Sequence, residues 1–118
     1  MQIRRGDVFL VSFGKRTGHE QEGQRPAIVV QADLYCVLST LWVTPTSTRA
    51  RPDIEFHVPV EVQGQRTIAL IEQLTTVDKH RRIKPEKYLG HLSIDEMEEI
   101  DEMMRIFGGL DPNFGLHF

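Results

Sequence analysis

Apolar positions recur along this chain in two rhythms, and the change between them divides the sequence. Up to residue 74 they come in short runs with strand-like spacing. Asp7-Val8-Phe9-Leu10-Val11-Ser12-Phe13 alternates over a short span and is rich in β-branched and aromatic residues, which predicts a strand. Residues 27–31, opened by Pro26, predict a buried strand, and residues 38–44, with Trp42 inside, predict a third. Residues 55–62 alternate well, but Pro59 lacks an N–H and demotes them to an edge. Residues 66–74 are mostly apolar and predict a central fifth strand, with Gly64 marking the turn before it.

From residue 93 the spacing becomes helical. Ser93-Ile94-Asp95-Glu96 fits a capping box, in which the Ser93 hydroxyl and the Glu96 carboxylate satisfy each other's free backbone N–H groups. Ile94, Met97, Ile100, Met103, Met104 and Phe107 follow at helical spacing, and Gly108-Gly109 supplies a left-handed stop. This predicts a helix over about 93–107 and a loose tail over 110–118. The apolar stripe is a core or dimer face rather than a cofactor site. Five short strands with polar turns predict a small barrel or a sandwich, so the class is α+β, mainly β, with a C-terminal helix. No repeat, low-complexity stretch or linker interrupts residues 1–118, which read as a single domain.

Charge changes the picture more than composition does. The net charge is −3, which by itself argues against a nucleic-acid partner. The first 92 residues, however, hold 13 Lys/Arg against 10 Asp/Glu, while residues 93–118 hold one Arg against seven acidic residues. A local basic patch steers a polyanion more than the total does. The densest basic run, Lys79-His80-Arg81-Arg82-Ile83-Lys84, is either a solvated turn or an RNA contact. Cys36 is the single cysteine, so no internal disulfide is available and a reducing compartment is expected. Met1-Gln2-Ile3-Arg4-Arg5 leads into Gly6-Asp7 rather than an apolar stretch, and no apolar run is long enough to span a bilayer. A cytoplasmic protein is the expectation.

The most informative stretch is the polar loop ending in Gly23-Gln24-Arg25-Pro26, which the apolar strand Ala27-Ile28-Val29-Val30 anchors. Polar groups held at the lip of a rigid strand are a common way to build a site. Arg25 places a fixed cation at the strand mouth, where it suits a phosphate, although an Arg before Pro is also commonly just a surface cation. Thr44, Thr46, Ser47 and Thr48 supply hydroxyls, which in such segments usually bond nearby backbone. The five histidines are scattered and show no metal-ligand spacing with Cys36, and no phosphate-binding glycine loop or nucleophile elbow is present. Chemistry without a metal or cofactor is therefore favoured. Cleaving RNA fits, because its own 2′-hydroxyl attacks the adjacent phosphorus while the protein aligns the attack, stabilises the phosphorane and moves two protons. Glu72, in an otherwise apolar strand, is either paired with an Arg, at the strand's open end, or functional. Gln73 beside it would face the opposite side.

These segments, taken in order, resemble the MazF/PemK family of toxin endoribonucleases over nearly the whole chain. Arg5-Gly6-Asp7-Val8, residues 18–26 and the strand after them resemble the family's RGD(I/V), GxEQxGxRP and (V/A)(L/I)VV segments. Val43-Thr44-Pro45-Thr46-Ser47-Thr48 is similar to VxPLTS, residues 67–73 to SxxxxDQ, residues 76–83 to TVDKxRL and Gly90-His91-Leu92-Ser93 to GxLS. The resemblance implies an SH3-like β-barrel with a C-terminal helix, usually a symmetric homodimer. It also implies a metal-free, ribosome-independent endoribonuclease that cuts single-stranded RNA and is held in check by an acidic antitoxin.

Carried over by position, Arg25 matches the arginine at the scissile phosphate, and Ser47, with Thr48 after it, matches the catalytic hydroxyl. Ser stands at position 47 where the family has Thr, so either Ser47 or Thr48 is the working group. Glu20 and Gln21 match loop positions implicated in activity and RNA contact. Arg16, His19, Thr46, Arg49, Glu72 and Gln73 complete the expected accessory or RNA-binding set. Glu72 stands where the family commonly has Asp, and Leu70 stands where its plasmid branch has Arg, so a mechanism built on that Arg–Asp pair is not supported. Two other functions share the pattern: a gyrase poison of the same fold, acting through residues 108–118, and a non-catalytic binding module.

Overall fold

The computed structural model describes residues 2–14, 18 and 23–111. Seven strands and two helices follow in the order β1 (Asp7–Ser12), β2 (Gln24–Val29), β3 (Thr40–Ser47), β4 (His57–Val62), β5 (Gln65–Leu70), β6 (Thr75–Asp78), α1 (Lys79–Arg82), β7 (Ile83–His91) and α2 (Ile94–Phe107). Short 3-10 turns occupy Asp33–Tyr35 and Ile71–Gln73. All the strand pairings are antiparallel, and the sheet runs β4-β5-β3-β2-β1-β7, with β6 also paired to β3. The α+β class with a C-terminal helix is as expected. The sheet, however, stays open: the pairing path ends at β4 on one side and β7 on the other.

Strand β3 is the hub. Its first half pairs with β6, its last two residues pair with β5, and Val43, Thr44 and Pro45 pair with β2. Strand β2 lies between two cores, which explains its unbroken apolar run. Ala27 and Val29 join Phe9, Val11, Leu41, Val43 and Ile83 on one face. Ile28 and Val30 join Val8, Val58, Ala69, Ile71, Met97 and Ile100 on the other, under α2.

Helix α2 forms as its sequence dictates. The Ser93 Oγ accepts from the Glu96 N–H at 3.2 Å, and the Glu96 Oε1 accepts from the Ser93 N–H at 2.9 Å. Gly109 closes the last turn at φ +74°. Met97 and Ile100 enter the core and Met103 and Met104 border it, but Ile94 is exposed and Phe107 is half in solvent. The Glu96 Oε2 also accepts the Glu61 N–H at 2.7 Å, so the helix start occupies a donor on the free edge of β4. Pro59, which has no N–H to offer, lies in that same edge strand.

Burial works to raise the Glu96 carboxyl, but the N–H groups of Ser93 and Glu61 and the Ser93 hydroxyl outweigh it and hold the group below its ordinary value of 4.5. A lowered folded-state value contributes stability that is complete above the unfolded value and is lost as pH falls through the folded one. Acid should therefore erode this contribution below about pH 4.5, and Glu96→Gln should flatten the acid limb of a pH–stability curve. Ser93→Ala should cost about 1 kcal/mol in denaturant unfolding.

Several expected boundaries shift for physical reasons. Strand β2 begins at Gln24 and carries Pro26 inside it opposite Leu10, instead of being opened by Pro26. Strand β3 continues through Thr44-Pro45-Thr46-Ser47, because two of its hydroxyls bond neighbouring backbone: Thr44 Oγ1 donates to Leu70 O at 2.8 Å and Thr46 Oγ1 to Pro26 O at 2.9 Å. The fifth strand stops at Leu70, and residues 71–73 turn, so the expected alternation of Glu72 and Gln73 across a sheet does not occur. The basic run 79–84, for which a turn was one of two expectations, is instead a short helix, Lys79–Arg82, followed by the start of the strand Ile83–His91. Asp78 caps that helix, accepting from the N–H groups of His80 and Arg81. Of the expected tail, only Leu110 and Asp111 are among the described residues.

Candidate functional site

One end of the sheet gathers the expected cation and hydroxyls. The pairing between β2 and β3 ends at Ala27↔Pro45, and just beyond it the Thr46 Oγ1 contact to Pro26 O keeps the strand ends together, so that Arg25 and Ser47 line one cavity. On its other side Arg25 pairs with Val11 of β1. Arg25, Pro26, Thr46, Ser47 and Thr48 line a polar cavity of about 250 Å³ with Gln63 and Thr67.

Burial separates the hydroxyls. Thr44 and Thr46 are fully committed to the backbone contacts given above and act as structural ties. Ser47 is buried, with its Oγ accepting the Arg49 N–H at 3.2 Å, an arrangement that fixes the oxygen, and among the described residues its O–H meets no acceptor. Thr48 lines the same cavity and is exposed. Arg25 is half-buried, and among the described residues no carboxylate neutralises it. An unpaired guanidinium beside a fixed hydroxyl, in a polar recess, suits an oxyanion with two or more oxygens.

The far wall is the β4–β5 hairpin, which the sequence marked only by Gly64. Val62 pairs with Gln65 across a two-residue loop, Gln63 at φ +51° and Gly64 at φ +78°. Positive φ at both central positions gives the tight turn that matches strand twist. It also brings Gln63 and Gln65 to the cavity wall, along with Gln24, residues that no motif singled out. A two-residue loop ending in Gly between alternating segments was the available signal.

Of the other expected residues, Arg49, Glu72 and Gln73 do not line this cavity. Arg16, His19, Glu20 and Gln21 fall outside the described residues. The Arg49 backbone meets Ser47, and its residue is exposed. Glu72 does not line the Arg25 cavity. Its Oε2 meets His57 Nε2 at 2.7 Å, while His57 Nδ1 meets Arg51 O at 2.7 Å. Of the three options for Glu72, pairing is realised, with a histidine in place of an arginine. The ring sits between these two oxygens and ties the β3–β4 loop to the 71–73 turn. Within that loop Arg51 forks onto Asp53 and holds its carboxyl below the usual range. Gln73 is half-buried in that turn.

A second, apolar groove of about 580 Å³ runs between Trp42, Ile71, Leu74, Met104, Phe107 and Leu110. Trp42 is 50 % exposed, Phe107 51 % and Leu110 75 %, unusually open for such side chains. Among the described residues no group of three or more His, Cys, Asp or Glu could hold a metal, and no helix is long and apolar enough to cross a membrane.

The sequence and the fold are similar to those of known proteins. Residues 4–107 match the family described as PemK-like, MazF-like toxin of type II toxin–antitoxin system. Endoribonuclease EndoA of Bacillus subtilis is 29 % identical over 112 residues, covering 90 % of this chain and 94 % of that protein. MazF of Deinococcus radiodurans superposes with a TM-score of 0.78 at 23 % identity, covering 92 % of this chain and 98 % of that one. A mycobacterial endoribonuclease, solved with its cognate antitoxin, gives 0.74 at 18 % identity, covering 92 % and 96 %.

Proposed function

Because this chain belongs to the PemK-like, MazF-like toxin family of type II toxin–antitoxin systems, we propose that it is an endoribonuclease that cuts single-stranded RNA without a metal ion. The observation that carries this reading is Arg25, which meets no carboxylate among the described residues, sharing one polar cavity with the buried hydroxyl of Ser47. The 2′-oxygen of the substrate attacks phosphorus and the P–O5′ bond breaks, leaving a 2′,3′-cyclic phosphate and a 5′-hydroxyl. The 2′ proton passes to water, and the leaving 5′ oxygen takes a proton from water. Arg25 stabilises the charge that builds on the non-bridging oxygens, and Ser47 orients the same phosphate. Base edges exposed on a single strand are read by the loops around the cavity.

The homologous EndoA is named as an endoribonuclease, which supports the nuclease reading over a gyrase poison or a non-catalytic module. The partners follow from the surface. The exposed apolar groove at Trp42, Phe107 and Leu110 suits a second copy of the chain, making a homodimer of the commonest symmetry. An acidic, partly disordered antitoxin would cover the Arg25 cavity, drawn by its unneutralised cation. Solved relatives do occur as toxin–antitoxin complexes.

Incubating the purified protein with a long RNA in EDTA and mapping the ends tests the chemistry. Cutting should persist, the upstream fragment should end in 2′,3′-cyclic or 3′ phosphate, and a 2′-methoxy group at the cut nucleotide should block cleavage but not binding. Loss of cutting on chelation, with recovery on adding Mg²⁺, would overturn the mechanism.

A further inference from the structure

The basic run at 79–84 extends the rank of residues that contains the candidate site. Across the sheet, Arg25, Val11 and Ile83 follow one another on β2, β1 and β7, and Ser47 at the end of β3 lines the same cavity as Arg25. Neighbouring strands lie about 4.8 Å apart, so Ile83 stands about 10 Å from Arg25. Arg82 and Lys84 flank Ile83, and both are exposed, as are Arg81 and Lys87. Lys79 is committed elsewhere, its Nζ donating to Cys36 O at 2.8 Å.

These cations are available. Arg4, Arg5 and Arg51 each pair with a carboxylate, whereas Arg81, Arg82, Lys84 and Lys87 pair with none among the described residues. Arg82 also reaches Gly14, just beyond the end of β1. Its guanidinium packs against Gly14, so closely that a β-carbon there would lie 3.3 Å from Nη1. Gly14 forms the neck of the polar loop that leads to Arg25, since Gly23 N–H donates to Gly14 O at 2.9 Å and Phe13 N–H to Gly23 O at 2.9 Å. Farther along β7, Tyr88 packs edge-on against Phe9 with centroids 5.4 Å apart and keeps 46 % of its surface open, leaving ring area on which a base could stack.

We propose that the outer edge formed by α1 and β7, with Arg82 and Lys84 nearest the site and Lys87 and Tyr88 beyond, is a track for the RNA strand flanking the scissile phosphate. This rests on the nuclease reading above and adds where the rest of the substrate lies. Lysines and a proline on an edge strand also guard against strand pairing with another molecule. A guard, however, has no need of an arginine packed against the neck of the catalytic loop.

The test is the salt dependence of binding to single-stranded RNA made uncleavable by 2′-methoxy groups, in a long form and in a short form spanning only the cut linkage. Each cation that meets a phosphate contributes about 0.7 to the slope of log K against log salt. Arg82→Gln/Lys84→Gln should lower the slope for the long RNA by about 1.4 and weaken its binding about tenfold, leaving the short RNA unaffected. Arg66→Gln, which removes a charge from β5, should leave the slope unchanged. If the double variant keeps the wild-type slope, or if Arg66→Gln lowers it as much per charge, the track is wrong. Wild-type protein that cuts RNA while the variants bind normally overturns the track alone. Wild-type protein that neither binds nor cuts RNA overturns the nuclease reading, and the track with it.

Discussion

Replacing Arg25 by alanine should abolish RNA cleavage while leaving the protein folded. Removing one preorganised donor to a transition-state anion costs about 10²–10³-fold in kcat, and loss of a full charge belongs at the upper end of that range. The fold should survive because Arg25 is only half-buried and holds no ion pair among the described residues. Arg25→Lys should restore activity only in part, since an ammonium carries the charge without the planar fork that grips two oxygens. Single-turnover rates beside thermal unfolding curves give both readings. An Arg25→Ala variant that cuts at the wild-type rate would remove the site from this cavity.

The hydroxyls should divide sharply. Ser47→Ala should lower kcat about 10²-fold, because its oxygen is fixed by the Arg49 N–H and lines the same cavity as Arg25. Thr48→Ala should change it by less than about tenfold, since an exposed side chain at the strand's end is less preorganised. Ser47→Thr keeps the hydroxyl and should retain most activity if the added methyl fits the cavity. The reverse order, with Thr48 dominant, would move the working group one residue along the chain. Full activity in both alanine variants would exclude the hydroxyl mechanism.

What the sequence revealed follows from where each segment's information resides. Helix α2 was legible because both its start and its apolar spacing are local: Ser93, Glu96, Met97 and Ile100 need no other segment to be interpreted. Ala27–Val30 was legible as buried because all four side chains are apolar. Strand β7 was not, because Ile83 is its only buried residue and its extended form depends on pairing with β1, eighty residues away in places. The Thr-Pro-Thr-Ser segment looked like a turn because its composition is that of turns; partners as distant as Leu70 make it the end of β3. Arg25 and the hydroxyls were picked out by type and by likeness to the family, but that Ser47 rather than Thr48 is buried in the cavity it shares with Arg25 depends on register. Glu72 stood out as an odd residue in an apolar run, and its histidine partner lies in a strand fifteen residues earlier.

The rank from Arg25 to Ile83 also bears on how the molecule is made. Strand β1 carries residues 7–12, yet its second neighbour is β7, and one of its faces is closed by Met97 and Ile100. Contacts so distant in sequence close large loops before they repay the entropy, which slows folding. During synthesis from the N-terminus, the first strand waits for residues 83–107 before its neighbourhood is complete. Arg25 and Ser47 exist in the growing chain well before the support that holds their two strands in place. The cleft therefore matures only once β7 and α2 have been made, and a chain cut short before β7 would carry the reactive residues without the frame that aligns them.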